Sequence, residues 1–180
     1  IMEKMELQNG APGKVLCPVS YTSIIDEKRR HIYLKAYGEL QRRGYDKTVA
    51  IQLYHMPRAL YGYDLRAPIE ILTQISQRVV VMMASDWTAS GELNRAGARA
   101  VGVDYHEIEK MQMDMMRLRM RGFVKQANRE RVASYIFGVN GAAKDVAACA
   151  GFGYICDMEI APRKTAEEDS GLQSTAGASA

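Results

Sequence analysis

Apolar residues recur at intervals of three and four between Thr22 and Gly44, which is the spacing of one face of an α-helix. The positions that share this spacing are Ile32, Tyr33, Ala36, Tyr37 and Leu40. Ser23 stands three residues before Asp26 and provides an N-cap, and Gly44 provides a stop. We therefore predict a helix over this segment.

Four other segments have less regular patterns. The stretch VLCPVSY, residues 15–21, is typical of a short strand, whereas residues 46–55 fit a short helical turn. Residues 130–153 predict a helix, a Gly-Val-Asn corner and a second helix rich in small residues. The apolar run at residues 79–83 is compatible with a strand or a helix end, because so short a run has no decisive period.

Residues 91–121 have the spacing of a helix-turn-helix. Ala98 is small enough to let a second helix cross closely, Gly102 permits the positive φ of a turn, and Ile108 anchors the second helix to the first. The same offsets occur in helix corners that bind no DNA. A DNA-reading motif and a plain corner therefore both remain open.

The second helix of this motif begins near Tyr105, because Asp104 and Glu107 have the spacing of a capping box. Its apolar residues form two stripes on nearly opposite sides. One stripe comprises Ile108, Met111, Met115, Leu118 and Gly122, and the other comprises Met113, Met116, Met120, Phe123 and Ala127. Methionine suits adaptable contacts. We expect an oligomer interface at Met111, Met113, Met115, Met116, Met120 and Phe123.

Basic residues lie between these stripes, with Asp114 as the acid among them. Such a strip either contacts phosphates or is a solvated helix face. On the first interpretation, Arg95, Arg99, Arg117, Arg121 and Lys125 neutralise the phosphates of double-stranded DNA. His106, Glu109 and Lys110, near the start of the second helix, then meet the base edges.

Composition narrows the class of protein without deciding it. The chain has 180 residues, 47% of them hydrophobic, and a net charge of +3, which allows an acidic partner without requiring one. Cys17, Cys149 and Cys156 form no CxxC pair, which argues against a disulfide scaffold and a four-thiolate zinc site. We expect no metal, no cofactor, no membrane span and a cytoplasmic location.

The predicted domain organisation has three parts. Residues 1–14 form a flexible arm, residues 15–162 a helical regulatory and DNA-binding domain, and residues 163–180 a disordered tail. The predicted fold class is mainly α, a multi-helix domain with a helix-turn-helix-like corner and at most one short β element. A small α/β Rossmann-like fold is the alternative.

Two segments resemble the flagellar master regulators FlhD and FlhC. The stretch from Tyr33 to Leu72 is similar to the helical core of FlhD, and AGARAVGVDYHEIEKMQMDMMRLRMRG, residues 96–122, is similar to the early part of FlhC. The likeness to FlhD rests on Tyr33, Leu34, Asp46, Ala50, Leu53, Leu65, Pro68 and Leu72. The cysteine zinc cluster of FlhC has no counterpart here. The resemblance implies a helical transcriptional activator that works as a homo-oligomer or with a partner regulator.

A rival resemblance concerns residues 78–102, which are similar to the strand, loop and helix of nucleoside 2-deoxyribosyltransferase-like proteins. The position of the nucleophilic glutamate in that family is Asn94 here, and an amide cannot replace the carboxylate. Glu92 lies two residues earlier, on another helix face. We therefore predict a DNA-binding regulator that is not an enzyme. The alternatives are a nucleoside-processing α/β protein or its inactive relative, and a helical adaptor.

Overall fold

The computed structural model describes residues 15–44, 49–60, 62–139, 141 and 143–157. The predicted arm at residues 1–14 and the predicted tail at residues 163–180 lie outside the described residues. Strands and helices alternate along the described part. The strands are β1 Val15–Ser20, β2 Val49–Tyr54, β3 Val79–Met82, β4 Ala98–Asp104, β5 Ala133–Val139 and β6 Tyr154–Asp157. The helices are α1 Tyr21–Ile25, α2 Glu27–Arg42, α3 Gly62–Thr73, α4 Glu92–Ala96, α5 Met113–Glu130 and α6 Ala143–Ala150.

The six strands form one parallel sheet in the order β1-β2-β3-β4-β5-β6. Each strand therefore pairs with the strand that follows it in sequence, after a helical crossover. A Rossmann sheet reverses its strand order at a switch point, whereas a barrel of alternating strands and helices does not. The described part thus has the strand order of a barrel, and the predicted Rossmann-like alternative does not have this order.

One face of the sheet packs against the helices and forms the core. Alternate strand residues such as Ile51, Val81 and Ile136 are fully buried there with α3 and α5 residues such as Ile69 and Met120. Burial of this apolar surface is the main force that holds the helices on the sheet. The residues between them in sequence point to the other face.

That other face is concave. Tyr135 of β5 and Gln52 of β2 are separated by β3 and β4, yet the amide nitrogen of Gln52 lies 3.1 Å from the hydroxyl of Tyr135. Side chains stand roughly perpendicular to a sheet. Side chains three strands apart therefore meet only where the sheet curves toward them.

The prediction of a mainly α fold is wrong, and so is the helix-turn-helix at residues 91–121. The second half of that motif is strand β4, and α5 begins only at Met113. The left-handed glycines of the region are Gly91 and Gly97, with φ of 82° and 94°, whereas Gly102 lies inside the strand. Most of β4 is buried on both faces, so it lacks the alternation of a half-exposed strand, and its spacing was mistaken for that of a helix corner.

Two other helical predictions fail for the same reason, although the second helix predicted within residues 130–153 is present as α6. Residues 49–54 form β2 and residues 133–139 form β5, and both strands have runs of consecutive buried residues. The ambiguous run at residues 79–83 contains strand β3. Buried parallel strands have continuous apolar runs, which periodicity alone cannot distinguish from a buried helix.

The strand β1 is confirmed. The helix predicted between Thr22 and Gly44 is present as two helices, α1 and α2, which are divided at Asp26. Asp26, rather than Ser23, caps α2, since its Oδ1 accepts a hydrogen bond from the N–H of Arg29 at 2.9 Å. Gly44 follows α2 with a φ of 81°, as expected for a stop.

Helix α5 buries most of one of the two predicted stripes, all but Met113. Met116, Met120 and Phe123 are buried within the chain, whereas Met115 and Leu118 are 52% and 65% exposed. The helix also carries five basic residues.

Among the described residues, no helix combines the length and apolar character that a membrane crossing requires.

Candidate functional site

A cavity of about 480 Å³ opens where the parallel strands end, and we call it the mouth cavity. Its lining residues are Pro18, Gln52, Tyr54, His55, Met56, Arg58, Met82, Met83, Ala84, Asp104, Glu107 and Phe137. They come from β1 to β5 and from the segments after β2, β3 and β4. Parallel α/β folds bind ligands at this edge, because the loops after the strands converge there. The volume lies within the range of small-molecule sites.

Two carboxylates line the part of the cavity after β4. Asp104 is the last residue of that strand, and Glu107 ends the 3₁₀ turn Tyr105–Glu107. The Oδ1 atom of Asp104 accepts a hydrogen bond from the N–H of His106, and Oε2 of Glu107 accepts one from the N–H of Ser85, both at 2.9 Å. These bonds orient both carboxylates and use one oxygen of each.

The part after β2 carries the positive charge. Arg58 Nη1 lies 3.9 Å from Asp86 Oδ2, which is too long for a hydrogen bond, and its side chain is 75% exposed. His55 has a left-handed backbone with a φ of 56°. Its ring lies 4.4 Å from that of Tyr54. A non-glycine residue in this conformation is uncommon and is found more often at functional sites.

The segment after β3 is held in place by a buried carboxylate. Glu130, at the end of α5, is 2% exposed and accepts hydrogen bonds from the N–H groups of Ser90, Gly91 and Leu93. The same segment contributes Ala84 to the mouth cavity. Sequence reasoning missed Glu130, since nothing local distinguishes it from other acids at a helix end.

The described residues do not fit a metal centre. Among them no group of three or more His, Cys, Asp or Glu side chains has the arrangement of a metal site. Asp104 and Glu107 are two carboxylates without a third such ligand beside them. The two-metal arrangement of many phosphate-cleaving enzymes needs more ligands than this.

The residues expected to bind DNA do not share one surface. Arg99 donates to the carbonyl of Gln77, just before β3, and so lies at the amino edge of the sheet. His106 lies at the carboxyl edge, with its Nδ1 3.2 Å from Glu109. Arg95 belongs to α4, and its Nη1 lies 3.5 Å from Glu92. Lys110 precedes α5, and Lys125 lies on it.

Arg117 and Arg121 are brought together, but beside α6. They line a groove of about 270 Å³ with α6 residues that include Asp145 and Cys149.

Of the residues expected at an oligomer interface, Met116, Met120 and Phe123 are buried in this chain's own core. Met113 and Met115 are exposed, and Met111 is partly buried.

Comparison with known proteins gives a likeness in fold. No protein-family model matches the sequence, and no match to a curated protein is found. A glycerophosphodiester phosphodiesterase from Parabacteroides distasonis is 10% identical, with a TM-score of 0.51 over 80% of this chain and 52% of that chain. The EAL enzyme Bd1971, in its cGMP-bound form, is 9% identical, with a TM-score of 0.56 over 77% of this chain and 37% of that chain.

An EAL domain protein from Listeria monocytogenes is 11% identical, with a TM-score of 0.54 over 79% of this chain and 57% of that chain. The chain thus spans 57% or less of each of these three structures. Identities this low show the fold alone.

These neighbours correct the functional predictions. The resemblance to FlhD and FlhC, the DNA-binding regulator and its partners are contradicted, because the fold is that of phosphodiesterase and EAL structures. The deoxyribosyltransferase-like alternative has no support among them. The prediction that the chain is not an enzyme is also contradicted, since the fold that it shares is an enzyme fold.

Proposed function

We propose that the mouth cavity binds, as a substrate, a small phosphate diester that carries a planar aromatic group. The observation that carries the proposal is the grouping of a cation, two carboxylates and aromatic side chains around one cavity at the carboxyl ends of the strands. The names of the neighbours, among them a phosphodiesterase, agree with a diester ligand.

The charge of the ligand follows from Arg58. A phosphate diester carries one negative charge, and Arg58 is the permanent cation among the cavity's lining residues. A guanidinium group binds two phosphate oxygens at once. Its contact with Asp86 is weak, so little is lost when Arg58 turns toward a ligand.

The aromatic group of the ligand follows from the rest of the lining. Tyr54, His55 and Phe137 offer ring faces, and three methionines add apolar surface that adapts in shape. Asp104 and Glu107 are the carboxylates of the cavity, and we assign them to proton exchange at the diester and not to the base. These two carboxylates lie at and after the end of β4, whereas Arg58 lies after β2. A ligand that extends across β3 therefore contacts both the carboxylates and the guanidinium group.

Calorimetric titration with cGMP, a cyclic phosphate diester with a planar base, tests the proposal. We expect saturable binding that weakens at least tenfold in Arg58→Gln, the cost of a charge-assisted hydrogen bond. Arg42→Gln is the matched control, because Arg42 is equally exposed and pairs with Glu39 on α2. The proposal fails if wild-type protein does not bind cGMP, or if both variants bind it equally.

We also propose that the protein is located in the cytoplasm. Cys17, Cys149 and Cys156 are not joined by a disulfide in the described residues, which is typical of a reducing cytoplasm. Protein that is taken from cells under acid trapping and then denatured should show three reactive thiols per chain in a thiol titration. A value of one would indicate a disulfide and an oxidising compartment.

A further inference from the structure

Tyr135 lies across β4 at a position that only glycine allows. A Cβ atom built on Gly102 would lie 2.1 Å from Cζ and 2.3 Å from Cε2 of the Tyr135 ring. Gly102 has no positive φ, so its requirement is one of space. The missing side chain lets the ring reach from β5 over β4 toward β2.

The hydroxyl of Tyr135 accepts a hydrogen bond from Nε2 of Gln52 at 3.1 Å. Both side chains are buried, but only Gln52 lines the mouth cavity. Burial raises the pKa of Tyr135 well above its ordinary value, so the hydroxyl stays protonated. The hydrogen bond fixes the amide nitrogen of Gln52, while its oxygen, Oε1, takes no part in it.

We infer that Gln52 determines specificity in the mouth cavity by presenting Oε1 to the ligand, and that Tyr135 is the residue that positions it. The inference rests on the proposed function. With its nitrogen donating to the Tyr135 hydroxyl, the amide keeps its oxygen, an acceptor, for the ligand. The site therefore favours a base that donates an N–H over one that has none.

The test compares two cyclic diesters that differ in their base. The first is cGMP, whose base donates N–H groups, and the second is purine riboside 3′,5′-cyclic phosphate, whose base has no N–H. Calorimetry gives the ratio of their dissociation constants for wild type, Gln52→Met and Tyr135→Phe. Tyr154→Phe is the matched control, since Tyr154 pairs with Tyr135 on the next strand and is 63% exposed.

We expect the preference for cGMP to fall about fivefold in Gln52→Met and in Tyr135→Phe, the effect of one neutral hydrogen bond. It should stay at the wild-type value in Tyr154→Phe. A purely structural role of Tyr135 would weaken both ligands alike and leave the ratio unchanged. If the ratio is unchanged in Tyr135→Phe while wild-type protein binds cGMP, the inference is wrong and the proposed function still stands. Absence of cGMP binding by wild-type protein rejects both.

Discussion

Glu130 accepts a hydrogen bond from the backbone N–H of Leu93 at 3.0 Å, although 37 residues separate them. Its other oxygen accepts from the N–H groups of Ser90 and Gly91. Helix α4 has no side-chain N-cap of its own. Glu130, from the far end of α5, therefore satisfies the free N–H groups at the start of α4 and fixes the segment that leads to it from β3.

Glu130→Gln should lower the free energy of unfolding by about 2–3 kcal/mol, because one amide oxygen cannot serve three buried donors and the amide nitrogen faces them. Urea unfolding followed by circular dichroism measures the change. Glu27→Gln, at an exposed position in the first turn of α2, should stay within about 0.5 kcal/mol of wild type. Equal stability of Glu130→Gln and wild type would mean that the carboxylate does not hold α4.

The strand β4 explains why the fold could be predicted only in part. Helix α2 and strand β1 have clear local signals, and both are present. The parallel strands β2, β4 and β5 are buried on both faces, which removes the alternation by which a strand is recognised. Without that alternation, the spacing of Ala98 and Gly102 also matches that of a helix-turn-helix.

Gly102→Ala should destabilise the protein by about 2–3 kcal/mol, because the added methyl group would overlap the rigid ring of Tyr135. The cost should largely vanish in a Tyr135→Ala background, and a double-mutant cycle measures that coupling. Gly122→Ala is the control. Gly122 lies in α5 with open space around its Cα, so alanine there should stabilise by about 0.5–1 kcal/mol. Additive effects of the two changes would refute the overlap.

The candidate site was beyond sequence reasoning for a different reason. Asp104 and Glu107 are predicted as the capping box of a helix, whereas in the structure Asp104 caps a short 3₁₀ turn and Glu107 accepts from the N–H of Ser85. Their meeting with Arg58 and Phe137 depends on the strand order, which no local pattern contains. The same holds for Gln52 and Tyr135, which lie 83 residues apart.

Stability should fall as the pH rises above 9. Burial raises the pKa of the Cys17 thiol above its ordinary value of 9.0 and raises the pKa values of Tyr37 and Tyr135 above 10.0. The folded protein thus keeps protons that the unfolded chain releases, and its stability declines with pH in that range. Urea unfolding at pH 7.5, 9 and 10 should show a smaller decline in Cys17→Ala. The exposed Cys149, changed to alanine, should leave the decline unchanged.

The two apolar stripes of α5 can be tested one at a time with Met120→Ala and Leu118→Ala. Met120 is fully buried, so its truncation should cost about 2–5 kcal/mol, whereas Leu118 is 65% exposed and should cost less than about 0.5 kcal/mol. Urea unfolding of both variants at equal concentration checks this. A large cost at Leu118 would reveal a surface that covers it, as the double-stripe prediction requires.

Asp104 and Glu107 are the carboxylates of the mouth cavity, and the proposed enzyme function makes them candidates to take a proton from an attacking water or to give one to the leaving oxygen of a bound diester. With bis(p-nitrophenyl) phosphate as substrate, Asp104→Asn should lower kcat about 100-fold and leave KM nearly unchanged. The fold should persist, because the asparagine oxygen still accepts the N–H of His106. Glu109→Gln is the control, since Glu109 pairs with His106 and does not line the cavity. Release of p-nitrophenol at equal rates by wild type and Asp104→Asn would exclude Asp104 from the chemistry.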